Sequence, residues 1–140
     1  MMNAPEGMPS ISPVLFYEDL GAAAHWLCAA FGFEEKTGDR ITDAQGVVQH
    51  AELVLGNGLV ILSSEYDDFR VPSSDATHHQ VLYVFVDDVD QHASTAREHG
   101  AQITAEPADR DYGARTYGAR DSGGYHWIFA EQLPRERRPA

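Results

Sequence analysis

In the segment RTYGARDSGGYHWIFAE, residues 115–131, the imidazole of His126 and the carboxylate of Glu131 flank an apolar run that leaves a glycine turn. Imidazole and carboxylate bind divalent cations and move protons near neutral pH, so the segment reads as a ligand strand of a metal enzyme or as the wall of a binding pocket. A second pair, His50 and Glu52 in VVQHAELVLG, shares one strand face because strand side chains alternate. Such a pair suits metal ligation, acid–base work or polar contact with a cation; no third donor stands beside it, which favours the polar contact. Aromatic side chains accompany these groups. Tyr83 and Phe85 in QVLYVFVDD share a face with Val81, and Tyr112 and Tyr117 lie in RDYGARTYG. Stacking on such residues holds a planar ligand without any covalent step. By the same alternation His126 faces the cleft with Ile128 and Ala130, where ligand contact, a structural hydrogen bond and general-base action are all open to it.

Elements that position these residues are written twice in the chain. ISPVLFYEDL predicts a strand, Asp19 a helix cap, LGAAAHWLCAAF the helix and Gly32 its left-handed stop. VLYVFVDD, Asp88, VDQHASTAREH and Gly100 repeat that order. Each half then continues with three strand signals, the last two joined by GNG in the first half and by SGG in the second. Matching Asp19 to Asp88 and Gly58 to Gly124 gives a period of about 70 residues, read as a duplicated module. The predicted fold is α+β: two tandem βαβββ modules, residues 11–65 and 80–131, forming a mixed sheet that lines a cleft. Together they make one domain, residues 11–132, with mobile tails at 1–10 and 133–140. The acidic, turn-rich SSEYDDFRVPSSDATHH between the modules reads as a solvated linker. Trp26 and Trp127 are assigned to helix–sheet packing.

Whole-chain totals exclude several classes. With 140 residues, 43% apolar and 23% charged, the chain is long enough for one ordinary core and has neither a disordered nor a membrane-embedded composition. Its 22 acidic and 10 basic residues give a net charge of −12, the wrong sign for a nucleic-acid or anionic-membrane partner. That surface keeps the protein soluble or steers a cationic small molecule toward it. The opening MMNAPEGMPS lacks the features of a secretory signal, which predicts a cytoplasmic protein. The single cysteine, Cys28, allows no intramolecular disulfide and reads as a structural thiol.

With PVLFYEDLGAAAHWLCAAFGFEE, LYVFVDDVDQH and YGARTYGARDSGGYHWIFAE in view, the chain resembles the vicinal oxygen chelate superfamily of glyoxalases, bleomycin-resistance proteins and extradiol dioxygenases. It looks most similar to the bleomycin-resistance-like and small glyoxalase-like members. The resemblance places the superfamily's metal slots on Ser12, Ser63, Val81 and Ile128, none of them a ligand those enzymes use, so no metal and no cofactor is expected. A two-residue slip would move the slots onto Glu65, His79 and His126 and leave a metal-dependent lyase, isomerase or dioxygenase as the alternative. The resemblance also places Tyr112 where bleomycin-resistance proteins stack an aromatic on the drug, and Tyr83 and Phe85 where they carry tryptophans. It matches Pro13 to a proline at which the first strand crosses to a partner, implying a homodimer with exchanged N-terminal strands. The expected function is metal-independent sequestration of an aromatic, antibiotic-like small molecule, cationic if the acidic surface steers it. Tyr83, Phe85, Tyr112, His126, His50 and Glu52 are the ligand-binding residues, and none is assigned a catalytic role.

Overall fold

The computed structural model describes residues 4–72 and 80–137, and the chain divides into two compact units, Met1–Val71 and Pro72–Ala140. In the first unit the order is β1 (Val14–Tyr17), α1 (Leu20–Phe31), β2 (Glu34–Glu35), β3 (Ile41–Thr42), β4 (Val48–Leu55) and β5 (Gly58–Ser64). Asp19 caps α1, its Oδ1 accepting the Ala22 N–H at 3.1 Å. Gly32 ends the helix at φ +85°, where its N–H reaches the Cys28 carbonyl at 3.1 Å. The helix buries Leu20, Leu27 and Phe31 on the sheet side that carries Leu15, Tyr17, Ala51, Leu53 and Leu62. A fully buried leucine such as Leu27 or Leu62 contributes about 1.5–3 kcal/mol. The thiol of Cys28 is pushed up chiefly by burial and then by Glu35 and Glu34, which suppresses its thiolate and suits a structural role.

Strand β1 runs parallel to β5, β5 pairs antiparallel with β4, and β2 and β3 both pair with β4. The GNG signal is a two-residue turn: Gly56 takes φ +58° and Leu55 pairs with Gly58.

The second unit repeats the plan with β6 (Leu82–Phe85), α2 (Val89–Glu98), β7 (Gln102–Asp109), β8 (Ala114–Arg120) and β9 (His126–Gln132), in sheet order β6-β9-β8-β7. Asp88 Oδ1 accepts the Gln91 N–H at 3.1 Å. Helix α2 is polar apart from buried Val89, Ala93 and Ala96, and it covers a core in which Trp127, Phe129 and Tyr117 stack at 5.8 and 5.3 Å. Pro107 has no N–H to give, and the β7–β8 register shifts between Ala105 and Ala108. Leu133, placed by the sequence at the head of the C-terminal tail, is buried, and its N–H donates to the Gly113 carbonyl at 3.0 Å.

The fold is therefore mixed α+β with two βαβββ modules. Each module closes a mixed sheet of its own, the first and last strands running parallel. The ladders also correct the repeat by one residue. Phe16 pairs with Ser63 and Phe85 with Ala130, each three residues before its capping aspartate, so Ser63 corresponds to Ala130 and Ile61 to Ile128. Among the described residues no helix is long and apolar enough to cross a membrane.

Candidate functional site

Alternation along β8 and β9 builds one face of the second unit. Arg120 pairs with His126, Gly118 with Ile128 and Thr116 with Ala130, while Tyr117, Ala119, Trp127 and Phe129 turn into the core beneath α2. The start of β9 is fixed by Asp121, which is 7% exposed. Its Oδ1 accepts the N–H groups of Gly123 and Tyr125 at 2.9 and 3.0 Å, and its Oδ2 accepts the Trp127 indole N–H at 3.0 Å. That turn, which the sequence suggested only as SGG, holds His126 on the open face. The other end is closed by the β7–β8 turn: Arg110 N–H reaches the Ala114 carbonyl at 2.7 Å, Gly113 takes φ +92°, and Tyr112 stands at the tip, 64% exposed.

Between these ends lies an open cleft of about 840 Å³, with Thr104, Arg110, Tyr112, Gly118, Arg120 and His126 among its walls. Arg110 Nε donates to Thr116 Oγ1 at 2.8 Å, and Arg120 Nε donates to His126 Nε2 at 3.1 Å. A Cβ on Gly118 would lie 2.6 Å from Thr104 Oγ1, so the missing side chain lets the hydroxyl close over the buried glycine and form the floor with it. Tyr83 neighbours Tyr112 of this wall, and burial first, then Tyr112, pushes its phenol above the usual range. Phe85 meets Tyr83 edge to face at 5.5 Å. Tyr83, Phe85, Tyr112 and His126 thus belong to one face of the second unit, and the exposure of Val81, Tyr83 and Phe85 follows the alternation read from the sequence.

His50 and Glu52 belong to the first unit. They share a face of β4, the His50 Nε2–H donating to Glu52 Oε2 at 3.0 Å, and Lys36 Nζ sits 3.5 Å from Glu52 Oε1. Tyr117 does not join the cleft aromatics: fully buried, it shares a 2.5 Å hydrogen bond with His92 Nδ1. Glu131 is not a ligand in waiting either. Its Oε1 accepts the Val89 N–H at 2.9 Å and completes the N-terminus of α2.

Among the described residues the donors at these positions do not fit a divalent ion. Of the four slots, Val81 and Ile128 have no donor atom, Ser63 Oγ donates to the Ser64 carbonyl at 3.0 Å, and the buried Ser12 hydroxyl has no partner among the described residues. In the slipped set, Glu65 accepts the Val71 N–H at 2.7 Å in the first unit, His126 accepts from Arg120 in the second, and His79 lies outside the described residues. Among the described residues no three of His, Cys, Asp and Glu converge.

Sequence reasoning missed two groups. One is Arg110, Thr116, Gly118 and Arg120; alternation through ARTYGAR places the last three on one face, a count the aromatics overshadowed. The other is Phe16, Tyr66 and Phe69, with ring centroids 5.0–5.7 Å apart, in the first unit. Tyr66 and Phe69 form a small antiparallel bridge inside what read as linker, across Asp67 at φ +50°. The basic group bears on the expected charge of the ligand. The cationic expectation used the charge of the whole chain, whereas the described cleft walls include two guanidinium groups and no carboxylate.

A family model described as Glyoxalase/Bleomycin resistance protein/Dioxygenase superfamily matches residues 10–129. Among solved structures, TioX from Micromonospora sp. ML1 is 31% identical with a TM-score of 0.70, covering 88% of this chain and 99% of that one. A glyoxalase/bleomycin resistance protein/dioxygenase family enzyme from Burkholderia phytofirmans PsJN is 17% identical, TM-score 0.68, covering 86% and 95%. A glyoxalase/bleomycin resistance protein/dioxygenase from Nocardioides is 16% identical, TM-score 0.61, covering 100% and 91%; these two likenesses are of fold alone. No curated protein sequence matches the chain.

Proposed function

The chain belongs to the Glyoxalase/Bleomycin resistance protein/Dioxygenase superfamily, and from that premise we propose that it is a metal-independent binding protein that sequesters an aromatic, antibiotic-like small molecule in the cytoplasm. The observation that carries this reading is the cleft of the second unit, where the neighbouring Tyr83 and Tyr112, with Phe85 beside Tyr83, adjoin polar walls that hold no metal donor set among the described residues. Each ring stacked on a ligand adds about 0.5–1.5 kcal/mol beyond its buried area, so two or three suffice for useful affinity without chemistry. An enzyme reading that uses His126 as a base has less support, because its Nε2 already accepts from Arg120. A homodimer with exchanged first strands is part of the proposal; it draws on Pro13 and on Ile11 and Val14, which are 86% and 41% exposed, while in this chain β1 lies on its own β5.

The test is a titration of planar aromatic antibiotics against protein whose metal content has been measured by elemental mass spectrometry, with and without chelator. Saturable binding that is indifferent to chelator and weakened in Tyr112→Ala is expected. Retention of one ion per chain, with binding lost on chelation, would overturn the proposal in favour of the metal-dependent alternative. Light scattering on the same sample reads the dimer.

A further inference from the structure

Resting on that reading, we infer that the ligand of the second-unit cleft is an aromatic acid, its ring lying on the floor that Thr104 and Gly118 form and its anionic group against Arg110. The cleft face of β8 presents Thr116, Gly118 and Arg120 at successive outward positions, and the middle one has no side chain. At about 3.3 Å per residue, Thr116 and Arg120 stand about 13 Å apart along the strand, the length of a bicyclic ring with one substituent. Arg110 is anchored at the Thr116 end through Nε alone, and its two terminal amino groups make no hydrogen bond among the described residues. A guanidinium held by Nε presents the planar edge that grips a carboxylate through two parallel hydrogen bonds. Arg120 is anchored at the opposite end on His126, where a cationic substituent would meet a like charge. The hydroxyls of Thr104 and Tyr112 add donors, and the described walls hold no carboxylate that would repel an anion. The overall charge of −12 does not reverse this, since beyond about 8 Å surface charges are largely screened at physiological ionic strength.

Three probes with one ring system separate charge from stacking: 2-naphthoate, 2-naphthamide and 2-naphthylmethylammonium, titrated calorimetrically into the full chain at neutral pH. Naphthoate should bind about tenfold tighter than the amide, as a charge-assisted bidentate contact allows, and the ammonium more weakly than either. Arg110→Gln should bring naphthoate down to the level of the amide, Arg110→Lys should keep part of the preference, and thermal midpoints should confirm that both variants fold. Equal binding of all three probes, tighter binding of the ammonium, or a naphthoate preference that survives in Arg110→Gln would overturn the anion site and leave the aromatic-binding function standing. Failure of every probe to bind would overturn both.

Discussion

Arg120 Nε donates to His126 Nε2 at 3.1 Å across a single rung of the β8–β9 ladder. A ring nitrogen that accepts from a guanidinium carries no proton of its own, so His126 is the neutral tautomer with its hydrogen on Nδ1. Long-range proton–nitrogen correlation spectra should show an unprotonated Nε2 and a protonated Nδ1 for this residue. Arg120→Gln, which removes the guanidinium, should let the tautomers mix. A protonated Nε2 in the parent protein would contradict the hydrogen bond and return His126 to candidacy as a base.

Asp121 controls the same histidine from behind. Its carboxylate accepts three N–H groups while almost fully buried, so removing it strands the Trp127 indole and undoes the turn that leads into β9. Asp121→Ala should cost about 2–4 kcal/mol in urea denaturation, the sum of several lost bonds to a charged acceptor less what water recovers. Trp127 emission should shift to the red. A loss below about 1 kcal/mol would mean that the backbone alone holds the turn.

Much of the fold was legible because local chemistry wrote it. The Asp19 and Asp88 caps, the Gly32 stop and the GNG turn each depend on one residue type at one position, and each is formed as the sequence implies. The site was legible only where alternation decided the matter, as for Val81, Tyr83 and Phe85 or for His126, Ile128 and Ala130. Tyr117 was left unassigned because RDYGARTYG reads as one aromatic region, whereas β8 begins at Ala114 and its alternation turns Tyr117 inward toward His92. Glu131 was ambiguous for another reason. Its partner, the Val89 amide, is 42 residues away, and no local pattern announces such a contact. Arg110 and Arg120 went unread because a basic pair has no motif until the strand pairing shows which end of β8 each one holds.

Tyr117 carries a pH dependence of definite sign. Full burial pushes its phenol well above the ordinary value, so the folded state keeps the proton longer than the unfolded chain does. The associated stability is complete below about pH 10, the unfolded phenol value, and is lost as pH rises from there toward the folded value. This one group lowers stability by at most about 1.4 kcal/mol per pH unit in that window. Tyr117→Phe should flatten the alkaline limb while costing about 1–3 kcal/mol at neutral pH through the lost contact with His92. An alkaline limb unchanged in the variant would assign the effect to other phenols.

Gly118 is where fold and ligand compete for one methyl group. An alanine Cβ would lie 2.6 Å from Thr104 Oγ1, too close to stand, so the threonine must turn its hydroxyl away and the cleft floor rises. Gly118→Ala should therefore cost about 1–2 kcal/mol of stability and weaken aromatic ligands about tenfold. The two effects have separate causes, and a second substitution divides them. In a Thr104→Ala background the hydroxyl is gone, so adding the methyl should cost little stability, giving a coupling of about 1 kcal/mol in the double-mutant cycle. Ligand affinity should stay low in the double variant, because the methyl still occupies the floor where the ring would lie. Recovery of affinity together with stability would show that the strain between the methyl and the Thr104 hydroxyl, and not the height of the floor at Gly118, sets the affinity.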